Sequence, residues 1–366
     1  MNDSSFEKFT LLDQIQNISL TNYVIVGFMC FINIMAIFGN MSVIFAIGKS
    51  SDMRHRQSNL FILNLSVVDF IASVVTLPVS ICTFHTNARV FDSMWCAVSG
   101  FLAGCVIYAS IGSLCAISIE RVYYIKWPLH HEANLTVEKT YLVLFVIWLQ
   151  CITVALPPVF KHLPQHSDKD CYSGWQGVHM DVFYVSFIGV WCFLIPVLVM
   201  LLSHCGIFNV IRKFSPLSTF HIVTVSGIVD TRLKAVSHRS SLLLTQRSVK
   251  NFFFLIVHLL AFVILWGPYF VFAMYHALHA QPEDRDKMVD LVVTWLGFVT
   301  FAANPVLYGL MNRPIRTQLV EWYEYIFCCD FLRKRKANGE QLPEETASGE
   351  EDFLHFLGIT PTANNT

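Results

Sequence analysis

Apolar residues in this chain are gathered into long runs, and the charges fall in the segments between them. Residues 21–48, 93–119, 141–160, 182–211, 251–282 and 291–312 contain no Asp, Glu, Lys or Arg, and residues 60–86 contain one, Asp69. A helix needs about 20 apolar residues to cross the hydrocarbon core of a bilayer, and each of the seven runs is that long. Lipid offers the backbone no hydrogen-bond partner, so the runs are predicted to be helices. The expected fold is all-α: a seven-transmembrane helix bundle with a short interfacial eighth helix.

Composition fits that picture. The 366 residues are 54% hydrophobic and 14% charged, with mean hydropathy +0.52, where a soluble domain carries about 25% charged residues. A net charge of −1 discriminates nothing, and no feature points to nucleic acid. The positive charges do discriminate. With the N-terminus outside, the outer segments hold six of the 25 Lys and Arg and the inner segments the other nineteen. Positive charge collects on the cytoplasmic side of membrane proteins, so the N-terminus is predicted to be extracellular, at the plasma membrane.

The organisation expected is an extracellular N-terminus at 1–21, a transmembrane domain at 22–312 with its third inner loop at 213–247, an interfacial helix at 313–329 and a disordered tail at 330–366. Residues 1–20 lack the basic start and short apolar core of a cleavable signal, so the first span serves as its own insertion signal. Asn2 and Asn17 begin sequons on the outer side, where glycosylation occurs. Apolar residues at Ile315, Leu319, Trp322 and Ile326 give the segment after the seventh run one greasy face, the mark of a helix lying in the membrane interface.

Cysteines are read by side of the membrane. Seven of the 11 lie inside the runs and read as small packing residues. Cys96 and Cys171 face the oxidising exterior, where the readings are a disulfide or two free thiols. Cys328 and Cys329 follow the interfacial segment and suggest palmitoylation.

Polar groups inside lipid are expensive and usually face the interior of a bundle. Asp69 is the carboxylate deepest in any run. Counting along each helix, Asn40, Ser110 and Asn304 reach a similar depth, and two readings stand: a water- or ion-filled cluster, or a neutral Asp acting as hydrogen-bond glue. Pro196, Pro268 and Pro305 each free a backbone carbonyl and bend their helices. The third run ends in Glu120-Arg121-Val122, two full charges where an apolar helix meets water.

Together these residues resemble the rhodopsin-like (class A) G-protein-coupled receptors. The likeness covers about residues 22–330 and is carried by one motif per helix, in order: Gly39-Asn40, Asn64 through Asp69, Cys96 to Glu120-Arg121-Val122, Trp148, Pro196, Phe262 with Trp266-Gly267-Pro268, and Asn304-Pro305-Val306-Leu307-Tyr308. The resemblance implies that Arg121 contacts a heterotrimeric G protein while Glu120 restrains it at rest. It implies that Leu129, after Pro128, inserts into the G-protein surface and that Tyr308 swings inward. It makes Trp266 a toggle beneath a ligand pocket. Pro196, Ile111 and Phe262 become a connector that repacks, and Asp69, Ser110 and Asn304 line a sodium pocket. Arrestin and receptor kinases are further expected partners, through Thr346, Ser348, Thr360 and Thr362, as is anionic lipid through the basic third inner loop.

Departures from the pattern carry information. His204 stands where the family usually has Tyr, which puts its pairing with Tyr308 in question. Thr300 and Phe301 replace residues that usually complete the sodium pocket, which argues against a bound sodium ion. The sixth helix begins Arg247-Ser248-Val249-Lys250, with no acid to pair with Arg121, and Ser248 sits where a restraining Glu often lies. High basal activity is therefore expected.

The expected pocket lining is Ala103, Tyr108, Trp191, Trp266, Tyr269, Phe270 and Phe298, with Asp290 and His276 nearer the mouth. Ala103 replaces the acid that amine receptors use, and Phe298 the Lys that opsins use for a Schiff base. The two readings of these aromatics are a cavity for a lipid or neutral small molecule, and bundle packing. Segments 293–314 and 350–357 resemble a branch of orphan receptors near the amine and melatonin receptors, associated with ligand-independent Gs signalling. The alternatives are a ligand-gated receptor coupling to Gi or Gq and, more remotely, a transporter. No internal repeat supports a transporter, and no constellation of His, Asp and Glu supports an enzyme or metal site.

Overall fold

The computed structural model describes residues 3–86, 93–162, 182–214, 231–279 and 287–327. Among these residues the regular structure is helical throughout. Seven helices are long and apolar enough to cross a membrane: Leu20–Lys49, Gln57–His85, Ala97–Lys126, Val137–Pro157, Val182–Arg212, Phe252–Leu278 and Met288–Leu310. All seven fall on the runs expected from sequence.

The third span is the most enclosed and packs on the second, fourth and fifth. The sixth lies against the fifth and seventh, and the first closes the bundle by packing on the second and seventh. Leu65, Ile107, Phe262, Phe298 and Phe301 fill the interior. Phe28, Phe31 and Phe38 of the first span, Leu142, Phe145 and Leu149 of the fourth, and Leu198 and Leu202 of the fifth lie exposed outside. An exposed apolar belt of this extent would drive aggregation in water; in a bilayer it is the lipid face.

Two spans are locally unwound. The second widens into a π turn at Ala72–Thr76, and the fifth at Gly189–Leu194. Each widening lies just before a proline, Pro78 or Pro196. Proline has no N–H and its ring clashes with the preceding turn, so the bonding shifts to the wider pattern. Pro268 and Pro305 instead sit inside unbroken helices.

Two boundaries differ from expectation. The first helix runs continuously over Asp3–Lys49, through most of the segment assigned to an N-terminal extension. The sixth runs over Thr231–His279 and so begins inside the expected third inner loop. In both cases the chain before the lipid-crossing part, 3–19 and 231–251, contains neither Gly nor Pro. The helix therefore propagates, since each added residue costs little once a turn exists. Hydrophobicity marks where lipid begins, and helices continue past it.

A short helix, Pro128–Asn134, follows the third span, with Pro128 in the first-turn position that proline favours. The interfacial segment is a helix over Arg313–Phe327, with Ile315 buried. The chain divides into a unit ending at Arg316 and a second from Thr317 onward.

Candidate functional site

Glu120 lies toward the C-terminal end of the third span and is only 4% exposed. Its Oε1 accepts a hydrogen bond from Ser58 Oγ at 2.6 Å and lies 2.9 Å from His131 Nε2. Its Oε2 lies 3.8 Å from Arg121 Nε, an ion pair without a hydrogen bond. Neither Glu120 Oε2 nor Arg121 Nε has a hydrogen-bond partner among the described residues. The Arg121 guanidinium carbon instead stands 6.0 Å from the Phe254 ring centre, the range of a cation–π contact. Motif reading brought Glu120 and Arg121 together and missed Ser58 and His131, which come from the second span and the loop helix. The available signal was a buried carboxylate that needs more than one partner.

Leu129 is 82% exposed on the loop helix, next to this cluster in sequence. Val122 faces the fifth span, where a Cβ on Gly206 would lie 3.2 Å from Val122 Cγ1. Tyr308 is fully buried and stacks on His258 at 5.5 Å, with Phe254 at 6.0 Å. Its hydroxyl has no partner among the described residues, and neither do His204 Nε2 and His258 Nε2. His204 engages the Met200 carbonyl through Nδ1, and His258 the Phe254 carbonyl. Each histidine thus bonds back to its own helix, one turn earlier.

Deeper in the bundle, Asn304 Nδ2 donates to Asp69 Oδ2 at 2.7 Å, and Ser110 lies beside the carboxyl. Asn40, expected in the same cluster, gives its amide to the Ala36 carbonyl at 2.8 Å and the Phe301 carbonyl at 2.9 Å. It ties the first span to the seventh rather than reaching Asp69. Against a cation, Asn304 occupies one carboxyl oxygen and Phe301 presents a ring stacked on Phe298. On the other side, the second carboxyl oxygen, Asp69 Oδ1, is buried with no hydrogen-bond partner among the described residues.

A second polar chain joins three spans. Trp148 Nε1 donates to Asn64 Oδ1 at 3.0 Å, Asn64 Nδ2 donates to Ser113 Oγ at 2.9 Å, and Ser113 Oγ donates to the Ala109 carbonyl at 2.7 Å. The sequence marked Trp148 and Asn64 but offered no reason for either. Ser113 completes the chain.

Trp266 is buried with its indole against Gly297, and Tyr269 and Phe270 pack at 6.0 and 6.3 Å. Phe262, Ile111 and Pro196 are buried as well. Phe193, which sequence reading passed over, joins Phe262 to Phe270, with its ring 5.8 Å from the first and 5.1 Å from the second. Ala103, Tyr108, Phe298 and Asp290 are buried as well. The Tyr108 and Tyr184 hydroxyls interact, and Tyr184 donates to the Val154 carbonyl at 2.8 Å.

Trp191 departs from the expected lining. It is 40% exposed and stacks on Phe187 with an interplanar angle of 13°. The π turn at Gly189–Leu194 changes the register of the fifth span there. Trp295, unremarked in sequence, is buried 5.5 Å from Phe298, and its Nε1 lacks a partner among the described residues.

Asn2, Cys171, Cys328, Cys329 and the tail threonines and serine lie outside the described residues. Asn17, Cys96 and Ser248 lie on described helices, but their side chains are outside the description. Of the seven cysteines read as packing residues, Cys105, Cys151 and Cys192 are buried, while Cys82 and Cys205 are exposed.

Seven packed spans, a charged triplet at one end of the third and an aromatic stack over Gly297 define a seven-helix membrane receptor. Residues 39–308 match the family described as 7 transmembrane receptor (rhodopsin family), and the chain belongs to it. It is 28% identical over 305 residues to G protein-coupled receptor 161 of Bos taurus, covering 79% of this chain and 57% of the relative. The Homo sapiens protein of that name is 28% identical over 308 residues, with the same coverage. The Histamine H2 receptor of Homo sapiens is 27% identical over 321 residues, covering 84% and 82%. The chain thus spans less than three fifths of the length of the first of these relatives, at 57%. The relatives are receptors, not enzymes.

Proposed function

We propose that this chain activates a heterotrimeric G protein and does so without bound ligand, with its N-terminus outside the cell. The observation that carries the reading is the 3.8 Å separation between Arg121 Nε and Glu120 Oε2, while Glu120 Oε1 is engaged by Ser58 and His131. A resting receptor of this family keeps its arginine restrained. Here the restraint is a contact beyond hydrogen-bond length, and the start of the sixth helix offers no acid to add to it. Arg121 is the residue that meets the G protein, and Leu129 is the apolar plug beside it.

The likeness of segments 293–314 and 350–357 to ligand-independent receptors favours Gs and a rise in cAMP. Palmitate at Cys328 and Cys329, glycans at Asn2 and Asn17, a Cys96–Cys171 disulfide, and arrestin and receptor-kinase recruitment by the tail complete the reading. The test is nucleotide exchange on a panel of purified G proteins by the ligand-free chain in lipid. Exchange well above an Arg121→Ala control supports the proposal, and equality with that control ends it.

A second reading has its own support. Tyr108, Tyr269, Phe270 and Phe298 are buried aromatics, Tyr269 and Phe270 of them against Trp266, with Ala103 rather than an acid on the third span. This lining suits a neutral or lipid-like ligand, which would shift an equilibrium between two packings of the bundle.

A further inference from the structure

The sixth helix, Thr231–His279, contains no Asp or Glu along its whole length. It therefore brings no carboxylate to Arg121. It brings three consecutive phenylalanines instead, Phe252, Phe253 and Phe254. Successive side chains on a helix point about 100° apart, so the three rings serve different neighbours. Phe252 faces the fifth span, with its ring 6.0 Å from both His204 and Phe208. Phe254, two positions on, faces inward. It is only 5% exposed, and the Arg121 guanidinium carbon lies over its ring, 6.0 Å from the centre.

The Phe254 ring is itself held from two sides. His258, one turn along the same face, packs on it at 4.2 Å and engages its carbonyl through Nδ1 at 2.8 Å. Tyr308 of the seventh span lies 6.0 Å from Phe254 and stacks on His258 at 5.5 Å, with an interplanar angle of 24°. All three rings are buried.

We infer that the face of the Phe254 ring is the sixth span's hold on Arg121, and that Phe254 is thereby a positioning residue for G-protein activation. This rests on the reading that Arg121 meets the G protein. An aromatic face attracts a guanidinium through its quadrupole, and the attraction strengthens when the cation is withdrawn from water. The Arg121 side chain is 16% exposed, so its charge is largely withdrawn. Its Nε has no hydrogen-bond partner among the described residues, and Glu120 Oε2 stands off at 3.8 Å. A carboxylate hydrogen-bonded to the guanidinium would hold it more strongly. A ring in that place gives a resting state that is held but easily left. Movement of the sixth span that carries Phe254 away frees Arg121, and the stack on His258 and Tyr308 makes the seventh span resist that movement.

The full chain is placed in lipid nanodiscs with purified Gs, and ligand-free nucleotide exchange is read. Phe254→Leu keeps an apolar side chain and removes the ring. Exchange should rise about two- to tenfold over wild type, the scale of one such contact. Leu also leaves a cavity, so a second series keeps the shape of the ring: phenylalanines carrying one, two or three ring fluorines replace Phe254. Fluorine draws electron density from the face with little change in size, so exchange should climb with each fluorine. A packing role alone produces no such gradient. A rise in Phe254→Leu without the gradient overturns the inference, as does exchange that none of these variants changes.

The second arm is independent of activity. In a double-mutant cycle of Phe254→Leu with Arg121→Ala, unfolding midpoints in detergent should be non-additive, because the two side chains are in contact. Strict additivity means that the ring does not hold the guanidinium. Failure of the wider reading looks different. Wild type no higher than Arg121→Ala, with Phe254→Leu above both, ends ligand-independent activation and leaves the hold in place. High wild-type exchange that no ring substitution moves does the reverse.

Discussion

The indole of Trp266 lies against Gly297 so closely that a Cβ on the glycine would sit 2.9 Å from two of its ring carbons. Real Cβ atoms do not approach that near, so a side chain at Gly297 must displace the indole. Trp266 also packs against Tyr269 and Phe270, and Phe270 in turn stacks on Phe193. One missing methyl group therefore seats the centre of the sixth span.

Gly297→Ala should lower the thermal unfolding midpoint of the purified receptor, because overpacking typically costs about 1–3 kcal/mol. Gly39→Ala should act similarly, since its Cβ would fall 2.7 Å from Pro305 Cγ. Gly48, with nothing within 4 Å, provides the contrast. Gly48→Ala should leave the midpoint unchanged or raise it, as Ala is favoured over Gly in helices by about 0.5–1 kcal/mol. A common response at all three positions would refute this packing argument.

Leu129 separates coupling from stability. At 82% exposure it has little packing to lose, and surface substitutions usually stay within about 0.5 kcal/mol. Leu129→Asp should keep the wild-type unfolding midpoint while cutting G-protein nucleotide exchange at least about tenfold, as expected for losing a central apolar anchor. Preserved exchange would remove Leu129 from the contact surface.

The Asn304–Asp69 hydrogen bond joins the seventh span to the second at 2.7 Å. Asp69→Ala strands the Asn304 amide in the interior, at a cost of about 1–3 kcal/mol. In a double-mutant cycle with Asn304→Ala, the two substitutions should cost less together than the sum of their separate effects, by about 0.5–3 kcal/mol. Strict additivity, measured by thermal unfolding in detergent, would mean the contact is not formed.

Trp148→Phe removes the indole donor but keeps an aromatic ring at the fourth span. It should cost about 1 kcal/mol, the net worth of one hydrogen bond. Asn64→Ala breaks both links of the chain at once and should cost more. Once Asn64 is gone, adding Trp148→Phe should change the unfolding midpoint very little.

Hydrophobic length and charge placement determined the seven spans, because the bilayer imposes a minimum apolar length and forbids unpaired backbone. Motif order then determined the family and placed Arg121, Trp266 and Tyr308 on the right helices. Helix ends were less legible, since the same backbone bonding continues outside lipid wherever Gly and Pro are absent, as at Asp3 and Thr231. Partnerships between helices were the least legible of all. Counting along helices gave Asn40 the right depth but not the right partner, because depth does not specify rotation. It also faced Trp191 inward, because the widened turn before Pro196 was invisible to a regular helical count. The sharing of Glu120 among Ser58, His131 and Arg121 belongs to the tertiary structure alone. Those residues lie on three separate elements, and only packing decides which of them a buried carboxylate can reach.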